Sequence, residues 1–193
     1  MTLTAVLLVG GLSRRMGVDK ATLEIAGKPL WAKQINLLRE LQPQAIWVSA
    51  RARPAWCPAE IEAVVDTPPS RGPLSGLTAA LQRLQTTHLL ALAIDLPRMT
   101  ADELRTLLAL AQPGCGVMPT NADYFEPLCA IYPVEAAAIA TDALAGRDVS
   151  LQKFSQTLLS LKRVQTYALS ESEKPFFLNA NSPADLQAIQ RLE

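Results

Sequence analysis

The sequence predicts a three-layer α/β/α sandwich around a mainly parallel sheet. Apolar runs of strand length alternate along the chain with segments of helical periodicity. Loops that contain glycine or aspartate follow several of these apolar runs. The 193 residues are enough for a full α/β core, and no linker of biased composition divides them. We therefore expect a single domain over residues 1–193.

The first half of the chain supplies the clearest elements. Leu3 to Val9 is a continuous apolar run, as expected for a central parallel strand buried on both faces. Apolar residues recur at helical spacing after Pro29, which predicts a helix to Leu41 with proline at its first position. Further predicted elements are strands at Ala45 to Val48 and Ala63 to Val65, a helix at Leu74 to Leu84, and a strand at His88 to Ile94.

The second half continues the alternation. Thr100 and Glu103 form a capping-box pattern that predicts a helix from Ala101 to Ala111. The apolar stretches Pro127 to Tyr132 and Val134 to Leu144 follow. The remaining predictions are a short helix near Ser150 to Phe154, a strand near Leu161 to Ala168, and a closing helix from Pro183 to Leu192.

Composition excludes several classes of function. Eighteen basic residues balance eighteen acidic ones, so no net field attracts nucleic acid or an anionic membrane. No apolar run approaches membrane-spanning length and no signal-peptide pattern is present, so we expect a soluble cytoplasmic protein. Cys57, Cys115 and Cys129 lack metal-binding spacing and are expected to be ordinary thiols. His88 is the only histidine and is expected to pack at a strand, which leaves few candidates for nucleophilic catalysis.

The loop after the first strand has the composition of a phosphate site. The segment GGLSRRMGVDK, residues 10–20, combines glycines with Arg14, Arg15 and Lys20. Glycine lets backbone N–H groups approach an anion, and the cations neutralise a polyphosphate. The spacing matches neither the P-loop nor the dinucleotide-binding fingerprint, but a glycine-rich turn after an opening strand fits an α/β nucleotide site.

Four residues are predicted to converge on this loop. Gly10, Ser49, Asp66 and Asp95 all stand at predicted carboxyl ends of strands, where ligands bind in open parallel sheets. Asp95 is a lone carboxylate among apolar residues, and Mg²⁺ is an obvious partner because it takes one or two carboxylates together with phosphate oxygens. The alternative is a helix cap or a structural ion pair at Asp95.

Two further segments are candidates for substrate contact. The turn from Arg71 to Leu77 exposes backbone groups where a flat base could lie, although a plain strand-to-helix connection has the same pattern. Asn179 and Asn181 precede Ser182 and Pro183, a natural helix cap and first turn. The two asparagines are either turn residues or ligands of a metal or a phosphate.

Together these motifs resemble the molybdenum cofactor guanylyltransferases, within the superfamily that includes the sugar-phosphate nucleotidyltransferases. The matching segments are Leu8 to Lys20, Gly27 to Leu30, Asp66, Gly72 to Gly76, Asp95 to Pro97, Glu126 to Leu128 and Asn179 to Pro183. The resemblance implies a Rossmann-like sheet of the nucleotide-diphospho-sugar transferase type. It also implies transfer of GMP from GTP to the terminal phosphate of molybdenum-bound molybdopterin, with release of pyrophosphate.

The resemblance also implies roles for individual residues. Arg15, Lys20 and Asp95 would be catalytic, with Asp95 as the ligand of Mg²⁺ and Arg15 beside the leaving pyrophosphate. Glu126, Asn179 and Asn181 would bind the acceptor. The nucleotide would be bound by Leu8, Val9, Gly10, Gly11, Lys20, Ser49, Asp66, Gly72, Pro73, Leu74, Gly76 and Asp95. Transient contact with cofactor-inserting proteins or molybdoenzymes would follow the reaction.

Two departures from the family pattern affect the nucleotide side. Val9 stands where alanine is usual, and Ser49 stands where asparagine is common. The shorter serine side chain reduces the reach of a hydrogen bond to ribose or base. Three alternative functions remain at this point: a cytidylyltransferase for the same cofactor, a sugar-phosphate nucleotidyltransferase, and a non-catalytic nucleotide-binding adaptor in cofactor delivery.

Overall fold

A computed structural model describes residues 1–10, 19–25, 27–66, 69–180 and 185. Within these ranges the strands are β1 (Leu3–Leu8), β2 (Glu24–Ile25), β3 (Lys28–Pro29), β4 (Ala45–Ala50), β5 (Glu62–Val65), β6 (His88–Ala93), β7 (Gly116–Asn121), β8 (Tyr124–Phe125), β9 (Cys129–Pro133) and β10 (Val164–Ala168). The α-helices are α1 (Leu30–Arg39), α2 (Pro73–Arg83), α3 (Ala101–Leu110), α4 (Ala136–Ala145) and α5 (Leu151–Ser160). Short 3₁₀ turns cover Lys20–Thr22 and Lys174–Phe177.

The main sheet is mixed but mainly parallel. Its strands lie in the order β10, β7, β9, β6, β1, β4, β5, with β8 paired to β7. β1 pairs in parallel with both β4 and β6, and β4 pairs in parallel with β5. β9 runs antiparallel to both β6 and β7, which restores the common direction in β7 and β10. β2 and β3 form a separate small hairpin.

Two helical layers cover the sheet, one on each face. Ala5 and Leu7 of β1 pack in one hydrophobic cluster with apolar residues of α1 and α3. Val6 and Leu8 belong to the other cluster, with apolar residues of α2, α4 and α5. Successive β1 side chains thus alternate between two cores, as the period of a strand requires. This arrangement confirms the predicted sandwich and explains why β1 is apolar from Ala5 to Leu8.

The sequence predicts which segments are helices or strands more accurately than it predicts the residues at which they begin and end. Pro29 was expected inside the first helix, but it has an extended backbone, pairs with Glu24 and precedes α1. The predicted short helix after Ser150 is longer and runs to Ser160, because Phe154, Ser155 and Leu158 all face the core. The predicted strand at Leu161 begins only at Val164, after a turn that includes Lys162 at φ 55°. The closing helix lies outside the described residues except for Asp185.

Several local predictions are confirmed. The Thr100 side chain accepts a hydrogen bond from the Glu103 amide and caps α3. His88 is almost fully buried on β6, and its ring nitrogens lie 3.0 Å from Thr87 Oγ1 and from the Gln112 carbonyl. All three cysteines are free thiols. Among the described residues, no helix has both the length and the apolar character needed to cross a membrane.

A buried tyrosine connects the core to a loop beside the strand ends. Tyr132 of β9 is fully buried and stacks on Phe154 with ring centroids 6.0 Å apart. Its hydroxyl donates a 2.5 Å hydrogen bond to the Pro127 carbonyl. Burial raises the pKa of the Tyr132 phenol above its ordinary range, so the hydroxyl stays a donor. This bond holds the turn that connects β8 to β9.

We expect Tyr132→Phe to lower the free energy of unfolding by about 1–3 kcal/mol, because the buried Pro127 carbonyl loses its partner. Tyr124→Phe is the matched control, since the Tyr124 side chain is 70% exposed. That control should unfold at the same denaturant concentration as the parent. Equal midpoints for both variants in chemical denaturation would contradict the proposed importance of the buried bond.

Candidate active site at the carboxyl edge of the sheet

A cavity of about 260 Å³ lies at the carboxyl ends of the central parallel strands. It is lined by Leu8, Val9, Gly10, Asp19, Lys20, Ser49, Ala50, Arg51, Asp66, Ser70, Gly72, Pro73, Gly76, Ala93, Ile94, Asp95 and Leu128. The predicted convergence of Gly10, Ser49, Asp66 and Asp95 is therefore observed. Loops that follow four different strands build one concave surface, which is the usual position of ligand sites in open α/β sheets.

Backbone hydrogen bonds fix the centre of this surface. Beyond the end of β1, the Val9 amide donates to the Ser49 carbonyl at 3.0 Å. On the other side of β1, the Ile94 amide donates to the Leu8 carbonyl at 3.0 Å. These bonds extend the ladders to β4 and β6 by one residue. The chain that leads into the glycine-rich loop is consequently held between Ser49 and the Asp95 turn.

A cation and an anion face each other across the cavity. Lys20 Nζ lies 3.6 Å from Asp95 Oδ2, and their side chains are 19% and 25% exposed. Lys20 opens a 3₁₀ turn that is capped by Asp19, whose Oδ1 accepts from the Ala21 amide at 3.0 Å. Partial burial strengthens the field of both charges. The pair therefore offers a positive and a negative group to a ligand within a few ångströms.

Asp66 is a buried carboxylate at the end of β5. The residue is only 7% exposed and lines the cavity. Within the part of the chain that the structure describes, the Asp66 carboxylate forms no hydrogen bond or ion pair. Burying such a carboxylate costs stability unless a ligand or solvent in the cavity compensates it. The Asp66 carboxylate can therefore accept hydrogen bonds from a ligand in the cavity that Lys20 also lines.

The turn into α2 brings backbone close to the strand ends. Gly72 has φ 87°, a conformation that favours glycine, and Pro73 follows at the first helical position. Gly76 packs against β4 so closely that a Cβ there would lie 2.5 Å from Ser49 Oγ. Gly72, Pro73 and Gly76 line the cavity. This turn thus presents small residues and backbone to a ligand.

Leu74 does not contribute its side chain to the cavity. Its side chain is fully buried in the core cluster beneath α2 and is not part of the cavity lining. The reason is helical geometry, since a residue one position into α2 points back toward the sheet. Any contact between Leu74 and a nucleotide would have to come from its backbone.

Glu126 and Asn179, two of the candidate acceptor residues, lie beside the cavity rather than in its lining. The Ala180 amide donates to the Asp95 carbonyl at 2.8 Å, which places the Asn179 segment next to Asp95. Glu126 is two residues before Leu128, which lines the cavity. Partial burial raises the pKa of the Glu126 carboxyl above its ordinary value. A second binding surface, on the side of Glu126 and Asn179, can therefore adjoin the cavity.

Some predicted site residues fall outside the described ranges, and some lining residues were not predicted. Gly11, Arg14, Arg15 and Asn181 lie outside the described residues. The lining residues that sequence reasoning missed include Asp19, Arg51, Ser70 and Leu128. The predicted strand ended at Val48, and its observed end at Ala50 puts Arg51 directly at the edge of the sheet. Asp19 and Leu128 lie within segments that matched the family pattern, but the pattern alone did not assign them to the cavity.

The described residues contain no cluster of three metal-binding side chains. A resident metal held by protein alone is therefore not supported within these ranges. Asp95 does suit an ion that arrives with a polyphosphate, because Mg²⁺ commonly uses one or two carboxylates and completes its shell with phosphate oxygens and water. The donor set thus fits a substrate-linked divalent ion.

Comparison with known families assigns these features to nucleotidyltransferases. The family model described as MobA-like NTP transferase domain matches residues 5–164. A protein of Opitutus terrae named probable molybdenum cofactor guanylyltransferase is 35% identical over 98% of this chain and 95% of its own length. The molybdenum cofactor guanylyltransferase of Xanthomonas euvesicatoria pv. vesicatoria is 34% identical, over 93% of this chain and 90% of its own.

Solved structures show the same fold. Molybdopterin-guanine dinucleotide biosynthesis protein A from Archaeoglobus fulgidus aligns with a TM-score of 0.70 at 25% identity, over 98% of this chain and 97% of that one. A nucleotidyl transferase from Methanothermobacter thermautotroptrophicus aligns with a TM-score of 0.79 at 16% identity, over 99% and 97% of the two chains. The second likeness supports the fold alone.

The contact between Gly76 and Ser49 predicts a measurable coupling. In Gly76→Ala the new Cβ would lie 2.5 Å from Ser49 Oγ, so that hydroxyl must move, whereas the double variant Gly76→Ala, Ser49→Ala removes the oxygen. A double-mutant cycle of unfolding free energies should give a coupling of about 0.5–3 kcal/mol. Additive effects within about 0.3 kcal/mol would show that the two residues do not constrain each other.

Replacement of Asp66 by asparagine should affect the stability of the free protein and its binding of nucleotide differently. Asp66→Asn keeps the shape and removes the charge of a residue that is only 7% exposed, so the Tm of the nucleotide-free protein should not fall. Binding of a nucleoside triphosphate should weaken at least tenfold, on the order of 1.4 kcal/mol. Thermal unfolding with and without nucleotide measures both. A lower Tm in the free variant would contradict the cost assigned to this carboxylate.

Proposed function

The chain belongs to the family of MobA-like NTP transferase domains, and we propose that it transfers GMP from GTP to the terminal phosphate of molybdenum-bound molybdopterin. The products are molybdopterin guanine dinucleotide and pyrophosphate. The observation that carries the proposal is the convergence of Lys20, Asp95, Asp66 and the Gly72 turn on one cavity. The names of the relatives supply the base and the acceptor.

The triphosphate binds on the Lys20 side of the cavity. The Lys20 ammonium lies within 4 Å of Asp95 and is partly buried, so its charge is weakly screened. Lys20 neutralises the phosphates, and Gly10 and Gly11 let backbone N–H groups approach them. Arg15 stabilises the leaving pyrophosphate. In this proposal, Lys20 and Arg15 balance the negative charge that develops on the phosphates during the reaction.

Asp95 is the ligand of Mg²⁺ in this proposal. The carboxylate faces the cavity at the end of β6 and leaves most of the coordination shell to phosphate oxygens and water. When bound, the ion supplies charge neutralisation at the phosphates. The protein's own part is to hold the Asp95 carboxylate in place, through the β6 ladder on one side and the Ala180 amide on the other.

The nucleoside lies against the opposite wall. The backbone of Leu8, Val9 and Gly10 forms the floor, and the Gly72, Pro73 and Gly76 turn contacts the base. Asp66 accepts hydrogen bonds from the N–H groups of guanine or from the ribose hydroxyls. Ser49 Oγ is held beside Gly76 and adds one short polar contact. Guanine donates from N1 and N2, which suits a buried carboxylate acceptor.

The acceptor occupies the surface beyond Asp95. Asn179, Asn181 and Glu126 bind the pterin side of molybdopterin, and the hydrogen bond from Ala180 to the Asp95 carbonyl brings this surface to the metal ligand. Burial raises the pKa of the Glu126 carboxyl above its ordinary value, and this half-buried group faces the acceptor side in the proposal. Two substrates can thus meet at Asp95 from opposite sides.

The reaction is an in-line displacement at phosphorus. An oxygen of the terminal molybdopterin phosphate attacks the α-phosphorus of GTP, a new P–O bond forms, and the bond to the bridging α,β-oxygen breaks with its electron pair leaving on pyrophosphate. Positioning and charge neutralisation are sufficient for this step. No covalent enzyme intermediate is required, which agrees with a chain that has one histidine.

Three alternatives differ from this proposal in a measurable way. A cytidylyltransferase for the same cofactor would prefer CTP, and a sugar-phosphate nucleotidyltransferase would use a sugar phosphate as acceptor. A nucleotide-binding adaptor would bind GTP without turnover. Thermal unfolding with each of the four nucleoside triphosphates separates the base choices, because a ligand at one hundred times its Kd adds about 2.7 kcal/mol of stability.

We expect purified protein to release pyrophosphate only when GTP, Mg²⁺ and molybdenum-bound molybdopterin are all present. Asp95→Asn should lower kcat by at least about 100-fold, since it removes a charge that acts in the transition state. Asp142→Asn is the matched control, because Asp142 is exposed on α4 and is absent from the cavity lining. A coupled pyrophosphate assay measures both variants.

Two outcomes would overturn the proposal. Turnover with CTP but not with GTP would reject guanine as the base. Full activity in Asp95→Asn would reject the role of that carboxylate.

A further inference from the structure

We propose that Trp56 is a positioning residue for Lys20, acting through the carboxylate of Asp19. This inference rests on the proposed function, because it concerns how the phosphate-binding lysine is held. Trp56 lies in the segment between β4 and β5, far from Asp19 in sequence. Its indole Nε1 donates a 2.9 Å hydrogen bond to Asp19 Oδ2. It has no place in the cavity lining, so its effect on a ligand is indirect.

The Asp19 carboxylate joins two parts of the structure. Oδ2 accepts from Trp56, while Oδ1 accepts from the Ala21 amide at 3.0 Å and caps the turn that begins at Lys20. The Asp19 carbonyl also accepts from the amide and the hydroxyl of Thr22, at 3.0 and 2.8 Å. The orientation of the Asp19 carboxylate therefore determines the conformation of the turn that begins at Lys20. Lys20 projects from this turn to a point 3.6 Å from Asp95.

Trp56 is itself held firmly on two sides. Its ring stacks on Trp31 of α1, with centroids 5.4 Å apart and an angle of 16° between the planes. The segment that carries it is organised by Arg53, whose guanidinium donates to the carbonyls of Ile61 at 3.0 Å and Pro58 at 2.7 Å. Cys57 next to it is buried. A rigid aromatic donor of this kind restricts the carboxylate that it binds.

Loss of the hydrogen bond from the Trp56 indole should weaken nucleotide binding rather than slow the chemical step. Without the indole bond, Asp19 and the Lys20 turn gain conformations that cannot bind phosphate, and the ligand must select against them. Once the nucleotide is bound, Lys20 occupies its usual place. The inference therefore predicts a change in KM for the nucleotide with little change in kcat. General destabilisation would not produce this separation.

The test compares three tryptophan-to-phenylalanine variants of the full chain. Trp56→Phe keeps an aromatic ring against Trp31 but removes the donor, and we expect KM for GTP to rise about three- to tenfold with kcat within twofold of the parent. Trp47→Phe is the control, since Trp47 is buried in the core on β4 and makes no contact with Asp19. It should lower Tm and leave KM unchanged. Trp31→Phe should show an intermediate rise in KM.

A second variant identifies the bond responsible. Asp19→Asn can keep its bond to the Ala21 amide, but then presents an amide N–H to the indole N–H. It should raise KM as Trp56→Phe does, and the double variant should be no worse than the single ones. In the nucleotide-free protein, the Trp56 indole N–H resonance should move in Asp19→Asn while the Trp47 resonance stays in place.

The outcomes separate this inference from the proposed function. If the parent releases pyrophosphate and Trp56→Phe has an unchanged KM, or shifts KM only as much as Trp47→Phe does, the inference is wrong and the proposed function stands. If the parent binds no nucleoside triphosphate, both are wrong. A KM rise in Trp56→Phe and Asp19→Asn that Trp47→Phe does not share, without additivity in the double variant, supports the inference.

Discussion

The site depends on the in-register parallel pairing of β1 with its two neighbours. Leu8 lies opposite Ser49 of β4 and opposite Ala93 of β6, and one more backbone bond on each side extends these ladders. Because parallel strands end at one edge, this pairing brings together residues that are distant in sequence. Gly10, Ser49 and the Asp95 turn thus have fixed separations before any ligand arrives. Pre-organisation of this kind lowers the ordering cost of binding.

The same edge concentrates groups that a stable core would exclude. Asp66 is buried without a described partner, Ser49 is buried beside Gly76, and Lys20 and Asp95 are partly buried charges. Each costs free energy in the absence of a ligand. The apolar layers on both sides of the sheet offset this cost. Polar groups held at the edge of a rigid apolar sheet are what a polyanionic substrate requires.

Residues with a clear local signal could be predicted from the sequence. The apolar run at β1, the capping box at Thr100 and the order of the strand ends all follow from short patterns, and they were enough to place Asp66 and Asp95 in one site. The direction of β9 could not be predicted, since an apolar run reads the same in either direction. The burial of Leu74 depends on the exact residue at which α2 begins.

Contacts that depend on tertiary packing could not be predicted. Trp56 reaches Asp19 across thirty-seven positions of sequence. The close approach of Gly76 to Ser49 requires the packing of α2 on β4. Such contacts determine how accurately the predicted groups are held, which is why the sequence indicated the chemistry better than it indicated the supports of the site.

A crystal structure with Mg²⁺ and a GTP analogue that carries a methylene bridge between the α- and β-phosphates would test the central claim most directly. The account predicts the triphosphate in contact with Lys20 and a Mg²⁺ ion on Asp95, with the base against the turn from Gly72 to Gly76 and its N–H groups toward Asp66. A nucleotide bound with its triphosphate away from Lys20, or with its base on the Glu126 side of Asp95, would contradict it.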